Sequence, residues 1–363
     1  MAVTMSSNND ADAIASHFLD DERFHQKFTL PPNANRPAGL NVTYADFGHR
    51  NDDRVLLFCG PLMGSRLVLV TKDKLAQKHG VRIISADRPG FGGTTNVPPP
   101  DRVRAWLDIV EALLQHLTIK HVSILGYSAG SVYAMNVLLH LRHILHPTHP
   151  YVALCTPWVH PSHSGVSNLR LAGLLPNGLI GSFDRVIQFV GNMGSALNFS
   201  NVLSGLVPSL SQESNPLAPG ADPDAVTLEE SLSSEVLRRM TNEDVRGIGQ
   251  DALLLLKRDE YPGCWGTWGD YDTLVPLLAQ AERQRRTTDS SNISPLRVHV
   301  FFADSDSMIG TGVARAWLDN CWRPEQCGES IEYRSSIVPK TTHNNILDLR
   351  YGVVERIFQQ MNH

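Results

Sequence analysis

The sequence predicts an α/β protein with a mostly parallel sheet flanked by helices. Three observations carry this. Short apolar runs alternate with amphipathic stretches over residues 55–155. Turn residues separate them at short intervals. One tight turn, Gly126-Tyr127-Ser128-Ala129-Gly130, joins a strand-like run to a helix-like run. Alternation of this kind argues for strand–helix–strand crossovers.

Taken in order, residues 1–24 read as a polar leader. Two strand-like segments follow, HQKFTL and LNVTYADFG. Val55-Leu56-Leu57-Phe58 has the unbroken apolar character of a buried parallel strand and ends at Cys59-Gly60-Pro61. SRLVLVTKDKLAQKHG reads as a helix capped by Gly80. The strand Val81–Ala86 stops at Asp87-Arg88-Pro89-Gly90-Phe91-Gly92. In DRVRAWLDIVEALLQHL, Val103, Trp106, Ile109, Val110 and Leu113 recur at three- and four-residue steps, so this is an amphipathic helix. His121–Gly126 is a strand, SVYAMNVLLHLRHIL a helix and Tyr151–Cys155 a strand.

After Trp158 the rhythm breaks. Residues 158–262 read as helices and loops, including LRLAGLLPNGLIGSFDRVIQFV and an acidic, Pro-rich loop SNPLAPGADPDAVTLEE. They are expected to form a helical lid inserted into a core made of 25–157 and 263–363. The core resumes with the helix LVPLLAQAERQRR and the strand Val298–Ala303. The strand Ile331–Arg334 and the terminal helix LRYGVVERIFQQM complete it.

Composition narrows the function. The chain of 363 residues carries a net charge of −5, which offers no basic footprint for nucleic acid. The five cysteines, Cys59, Cys155, Cys264, Cys321 and Cys327, are odd in number and form no CxxC, so neither a disulfide framework nor a zinc site is expected. No run approaches the ~18 apolar residues of a membrane span. The start has no basic region followed by an apolar run. A cytoplasmic setting follows, and the sequons at Asn41, Asn198 and Asn292 are read as chance. His140, His143, His146 and His149 fall three apart, but Pro147 and Pro150 interrupt them, so they are read as a helix end and loop. LAGLLPNGLIG lacks a basic face and is read as the lid's inner wall.

The chemistry centres on Ser128. A serine on a sharp strand-to-helix turn is exposed at the carboxyl end of the sheet. The N–H of Ala129, at the start of the helix, would face a developing oxyanion. A serine hydroxyl needs a base, and the base needs an orienting carboxylate. His343 lies in the polar stretch Val338–Asn345, between the last strand and the last helix. Asp306 follows the strand VHVFFA and is the favoured acid; Asp304, two residues earlier, competes, and Asp272 is a third candidate without a strand before it.

Four pieces, Asp87–Gly92, the turn at 126–130, the acid turn near Asp306 and the histidine stretch at 343, resemble in this order the α/β-hydrolase fold-1 family. The resemblance implies an α/β-hydrolase fold and acyl transfer to water through Ser128, Asp306 and His343, with no metal or organic cofactor. It departs at one place. Family members usually carry His-Gly before the second oxyanion donor, and this chain has Cys59-Gly60 followed by Pro61. Proline has no N–H, so either the donor is Leu62 or the loop Leu62-Met63-Gly64-Ser65 takes another route. Serine at the elbow disfavours epoxide hydrolase and dehalogenase chemistry, whose enzymes place an aspartate there.

The expected substrate is a small to medium, fairly apolar ester, thioester or lactone, because the expected lid is rich in Leu, Ile, Val and Phe. An acyltransferase or C–C bond hydrolase using the same three residues, and a non-catalytic binding protein on this scaffold, are the alternatives. No stable membrane insertion is expected, and the oligomeric state is open.

Overall fold

The structure is a computed structural model. It describes residues 15–361 except 35, 37, 51–52, 168–172, 183, 186–214, 259–264 and 289–293. Residues 1–14 of the expected leader, Asn198, Cys264, Asn292 and, within LRLAGLLPNGLIGSFDRVIQFV, residues 169–172, 183 and 186–190 lie outside the described residues.

One eight-stranded sheet organises the chain, in the order β1-β2-β4-β3-β5-β6-β7-β8. The strands are β1 (Gln26–Leu30), β2 (Leu40–Gly48), β3 (Val55–Cys59), β4 (Arg82–Ala86), β5 (Ser123–Tyr127), β6 (Tyr151–Cys155), β7 (Leu296–Ser305) and β8 (Ile331–Thr342). β2 runs antiparallel to both β1 and β4, and every later pairing is parallel. β3, β5 and β6 are buried along their whole length, which explains their unbroken apolar sequences.

Alternate residues feed two cores. Val55, Leu57 and Ile124 face one side, where helix Pro99–His116 buries Val103, Trp106, Ile109, Val110 and Leu113. Leu56, Phe58 and Leu125 face the other, against helix Val353–Gln360 and its Ile357 and Phe358.

Several expected boundaries shift. The helix expected over 65–80 is a 3-10 helix, Arg66–Lys72, followed by a short α-helix, Asp73–Lys78. The helix expected after Ser128 ends at His140, and a 3-10 turn, Arg142–Ile144, follows. The acidic loop ends at Asp222, whose side chain accepts from Asp224 N and caps helix Pro223–Asn242; an aspartate before Pro is a favourable helix start. β8 continues to Thr342, so much of the expected histidine loop is strand. Residues 15–24 do not behave as a polar leader, because Ala15, Leu19 and Phe24 are buried.

Between β6 and β7 the described residues contain helices and no strand of the sheet: Pro161–Ser164, Asn177–Ile180, Pro223–Asn242, Gly247–Leu255 and Tyr271–Thr288. Leu174, Leu175 and Leu179 of the segment expected to form an inner wall are exposed instead. Among the described residues no helix is long and apolar enough to cross a membrane.

One half-buried histidine predicts a pH response. His299 on β7 stacks on Phe301 at 4.0 Å. Burial, then the charges of Arg356 and Arg334, lower its pKa from 6.5 to about 4. Within that window the unfolded chain binds a proton that the folded chain refuses, so stability falls as pH drops from 6.5 to 4. Urea denaturation across this range should show the fall, and His299→Gln should flatten it.

Candidate active site

The turn after β5 places Ser128 at the carboxyl end of a central strand. Its φ is +52°, in the left-handed region that a non-glycine residue occupies only when its surroundings impose it. Ser128 N donates to Cys155 O at 3.0 Å, and Ser128 O accepts from Trp158 N at 3.1 Å, so the strained residue is tied at both ends. The flanking glycines are required by close approach. A Cβ on Gly126 would sit 2.9 Å from Ala134 Cβ and 3.0 Å from Leu154 Cδ2. A Cβ on Gly130 would overlap the carbonyl oxygens of Cys59 and Gly60. Gly130→Ala should therefore cost at least about 1–3 kcal/mol, the penalty of overpacking a close contact, and should be read by thermal unfolding.

Three separated residues meet here. His343, immediately after β8, has Nε2 2.8 Å from Ser128 Oγ and Nδ1 2.8 Å from Asp306 Oδ2. All three are buried: Ser128 is 6% exposed, His343 5% and Asp306 7%. A carboxylate only accepts, so Nδ1 carries the proton; the neutral ring then presents Nε2 as an acceptor for the serine O–H. Asp306 Oδ1 accepts from Met308 N and Ile309 N, each at 2.9 Å, which fixes the carboxylate. Tyr127 O–H donates to His343 O at 2.7 Å and its ring stacks on the imidazole.

The competing acids stand elsewhere. Asp304 is exposed and its Oδ2 accepts from Lys340 N at 3.2 Å. Asp272 is exposed in the first turn of helix Tyr271–Thr288. Cys59 is fully buried, and burial pushes its thiol up to about 12, so no thiolate forms beside the serine at neutral pH. Within the histidine run His146 stacks on His149, and beyond it His163 stacks on Trp317 at 4.1 Å.

Ala129 is fully buried at the start of helix Gly130–His140, and Leu62 lines the cavity over Ser128. Among the described residues neither backbone N–H has a hydrogen-bond acceptor. The loop carrying Leu62 is braced from behind. Arg88 donates to Gly60 O at 2.6 Å and Pro61 O at 2.7 Å, and its Nε donates to Asp251 Oδ2 at 2.8 Å. Asp251 Oδ1 accepts from Arg102 Nε and from Tyr133 O–H, each at 2.5 Å. Sequence reasoning missed this group; its only local signal was an arginine inside the turn Asp87–Gly92.

The cavity over Ser128 has a volume of about 110 Å³ and opens to solvent. Helix Pro223–Asn242 contributes Val236, Leu237 and Met240 to its wall, with Leu62, Met63 and Met308 from the core. Thr71, Lys72 and Glu229 add a polar wall that the sequence did not reveal.

The family model of the α/β-hydrolase fold matches residues 54–180. The likeness to solved structures spans most of the chain. A laboratory-evolved variant of potato epoxide hydrolase is 15% identical with a TM-score of 0.56, covering 92% of this chain and 97% of that one. The enol-lactonase from Burkholderia xenovorans LB400 is 11% identical with a TM-score of 0.54, covering 89% and 97%. A thermophilic esterase from Thermogutta terrifontis is 16% identical with a TM-score of 0.52, covering 92% and 96%. No curated protein matches the sequence. The chain is an α/β-hydrolase-fold protein, as its order of motifs implied.

Proposed function

We propose that this protein is a serine hydrolase that cleaves a small to medium, fairly apolar ester, thioester or lactone through an acyl-enzyme. The reading rests on one observation above all: a buried serine hydroxyl 2.8 Å from an imidazole whose other nitrogen is held by a buried carboxylate. In this reading Ser128 attacks the carbonyl and His343 takes its proton. His343 then returns the proton to the leaving group, and Asp306 orients the ring and stabilises its charged form. Water repeats the cycle on the acyl-enzyme.

Ala129 and Leu62 are the oxyanion donors in this reading. In a trans peptide the C=O and the following N–H point opposite ways. The Pro61 carbonyl is occupied by Arg88 and by Gly64 N, so the Leu62 N–H is directed away from them. Pro61 thus removes one donor without leaving the loop without one. Residues 158–262 act as the lid, with helix Pro223–Asn242 as its substrate-facing part.

The esterase and lactonase named among the similar structures favour acyl substrates. Position 128 argues against epoxide opening by an elbow carboxylate. The test is product analysis on a panel of esters, thioesters and lactones. Free acid as the sole acyl product supports the reading. Transfer of the acyl group to an added alcohol in preference to water, or cleavage of a β-diketone but of no ester, would replace it with an acyltransferase or a C–C hydrolase.

A further inference from the structure

The cavity over Ser128 has two chemically different walls. One is apolar, built from Leu62, Met63, Val236, Leu237 and Met240. The other carries an ion pair between two buried side chains, Lys72 at 4% and Glu229 at 5% exposure. Glu229 Oε1 accepts from Lys72 Nζ and from Thr71 Oγ1, and Oε2 accepts from Leu349 N at 2.7 Å. Lys72 Nζ also donates to Thr71 Oγ1 at 3.1 Å.

Two features of this pair point to a ligand. First, an ammonium has three protons, and among the described residues only Glu229 and Thr71 accept from Lys72. One proton is left on a buried lysine that lines the cavity. Second, a buried ion pair contributes little to stability compared with apolar residues of the same volume. Glu229 Oε2 serves the fold by accepting from Leu349 N, whereas the ammonium of Lys72 meets only this ion pair and Thr71 among the described residues, and none of Ser128, His343 and Asp306 hydrogen-bonds to the pair.

We propose that Thr71, Lys72 and Glu229 form a polar subsite that receives an uncharged oxygen of the substrate, a hydroxyl or a carbonyl, at a distance from the bond that is cleaved. Glu229 already neutralises the ammonium, so the subsite has no net charge to draw an anion. Asp348 on the same cavity opposes an anion further. A hydroxyl or keto oxygen accepts the spare Lys72 proton at no such cost. The preferred substrate is thus an amphipathic hydroxyacyl or oxoacyl ester rather than a plain alkanoate. This rests on the serine hydrolase reading above.

The test compares 4-nitrophenyl esters in matched pairs, each alkanoate against the same chain bearing one hydroxyl or keto group, with the oxygen moved along the chain. For at least one position wild type should prefer the oxygenated member. In Lys72→Met that preference should fall between about 10- and 100-fold, the value of a hydrogen bond to a charged group. Lys72→Arg, which keeps a donor, should restore part of it. Lys72→Met combined with Glu229→Met, which removes the donor without leaving a buried carboxylate uncompensated, is the second variant should Lys72→Met fail to fold. No preference at any position in wild type, or a preference undiminished in folded protein that lacks the Lys72 ammonium, overturns the subsite. If no ester is turned over and Ser128 resists acylation, the hydrolase reading fails instead. The subsite is then judged by calorimetry, which should show wild type binding an alkan-2-one more tightly than the variant does; equal binding overturns it.

Discussion

Ser128→Ala lowers kcat/KM on the best ester by roughly 10⁴- to 10⁶-fold while leaving the fold intact. The expectation follows from how the group is built. The His343 ring is set by Asp306 on one side and reads Ser128 on the other, each across 2.8 Å. Remove the hydroxyl, and the imidazole has nothing to deprotonate except water that is not held in place. On the proposed mechanism, cavity binding and the N–H groups of Ala129 and Leu62 should leave a residual rate above the uncatalysed one. In the same proposed mechanism the three residues act as one device, so Ser128→Ala combined with His343→Ala should cost little more than Ser128→Ala alone. Additive losses in the double variant, measured with active-site-titrated enzyme, would mean the two residues work independently. Relief of the strained φ of +52° at position 128 is not expected, since alanine occupies the same backbone.

Asp251→Ala costs about 3–5 kcal/mol of stability, the penalty for leaving buried charge uncompensated. Asp251 is fully buried between Arg88 and Arg102, both of which are buried as well. Burial alone would raise its pKa, yet the charges of Arg102 and then Arg88 outweigh burial and hold the carboxyl below its ordinary 3.8. The sign of the linkage follows: this stabilisation is present above the ordinary carboxylate pKa and is lost as pH falls through the lowered one. The loss should reach the chemistry too. Arg88 holds Gly60 O and Pro61 O, and through them the loop that presents Leu62. With Asp251 gone, Arg88 loses its rear anchor. Below the new melting temperature kcat should fall while KM stays closer to wild type, because an interaction made to the oxyanion is one made in the transition state. Denaturant unfolding gives the first number and steady-state kinetics the second. A variant as stable as wild type would mean that the two guanidiniums find other partners.

These predictions differ in how far the sequence alone could have reached them. The elbow is a local feature: strand, tight turn and helix occupy one stretch, and Gly126 and Gly130 are dictated by contacts a few residues away or one strand over. Asp306 and His343 were legible because each follows a strand, even though β8 is longer than its apolar pattern indicated. Ile331-Glu332-Tyr333-Arg334 alternates as a strand should, but the continuation over 335–342, with Ser335, Ser336, Pro339 and Lys340, carries no apolar alternation. Arg88, Arg102, Tyr133 and Asp251 were not legible as a group. Their contacts join the turn after β4 to three helices, and only the folded chain brings an aspartate from position 251 onto arginines at 88 and 102. The same holds for Lys72 and Glu229, which meet only where the 3-10 helix and helix Pro223–Asn242 pack on one another. The apolar segment around Leu174–Leu179 shows the opposite failure, since apolar composition there accompanies exposure rather than a cavity wall.

The most direct measurement is covalent labelling of folded protein with a fluorophosphonate probe, read by intact mass and peptide mapping. One adduct per chain on the peptide containing Ser128, absent from Ser128→Ala and slowed in His343→Ala, is the result this account predicts. A folded wild-type protein that takes no label at Ser128, or takes it equally well without His343, would contradict the claim that this serine is an activated nucleophile.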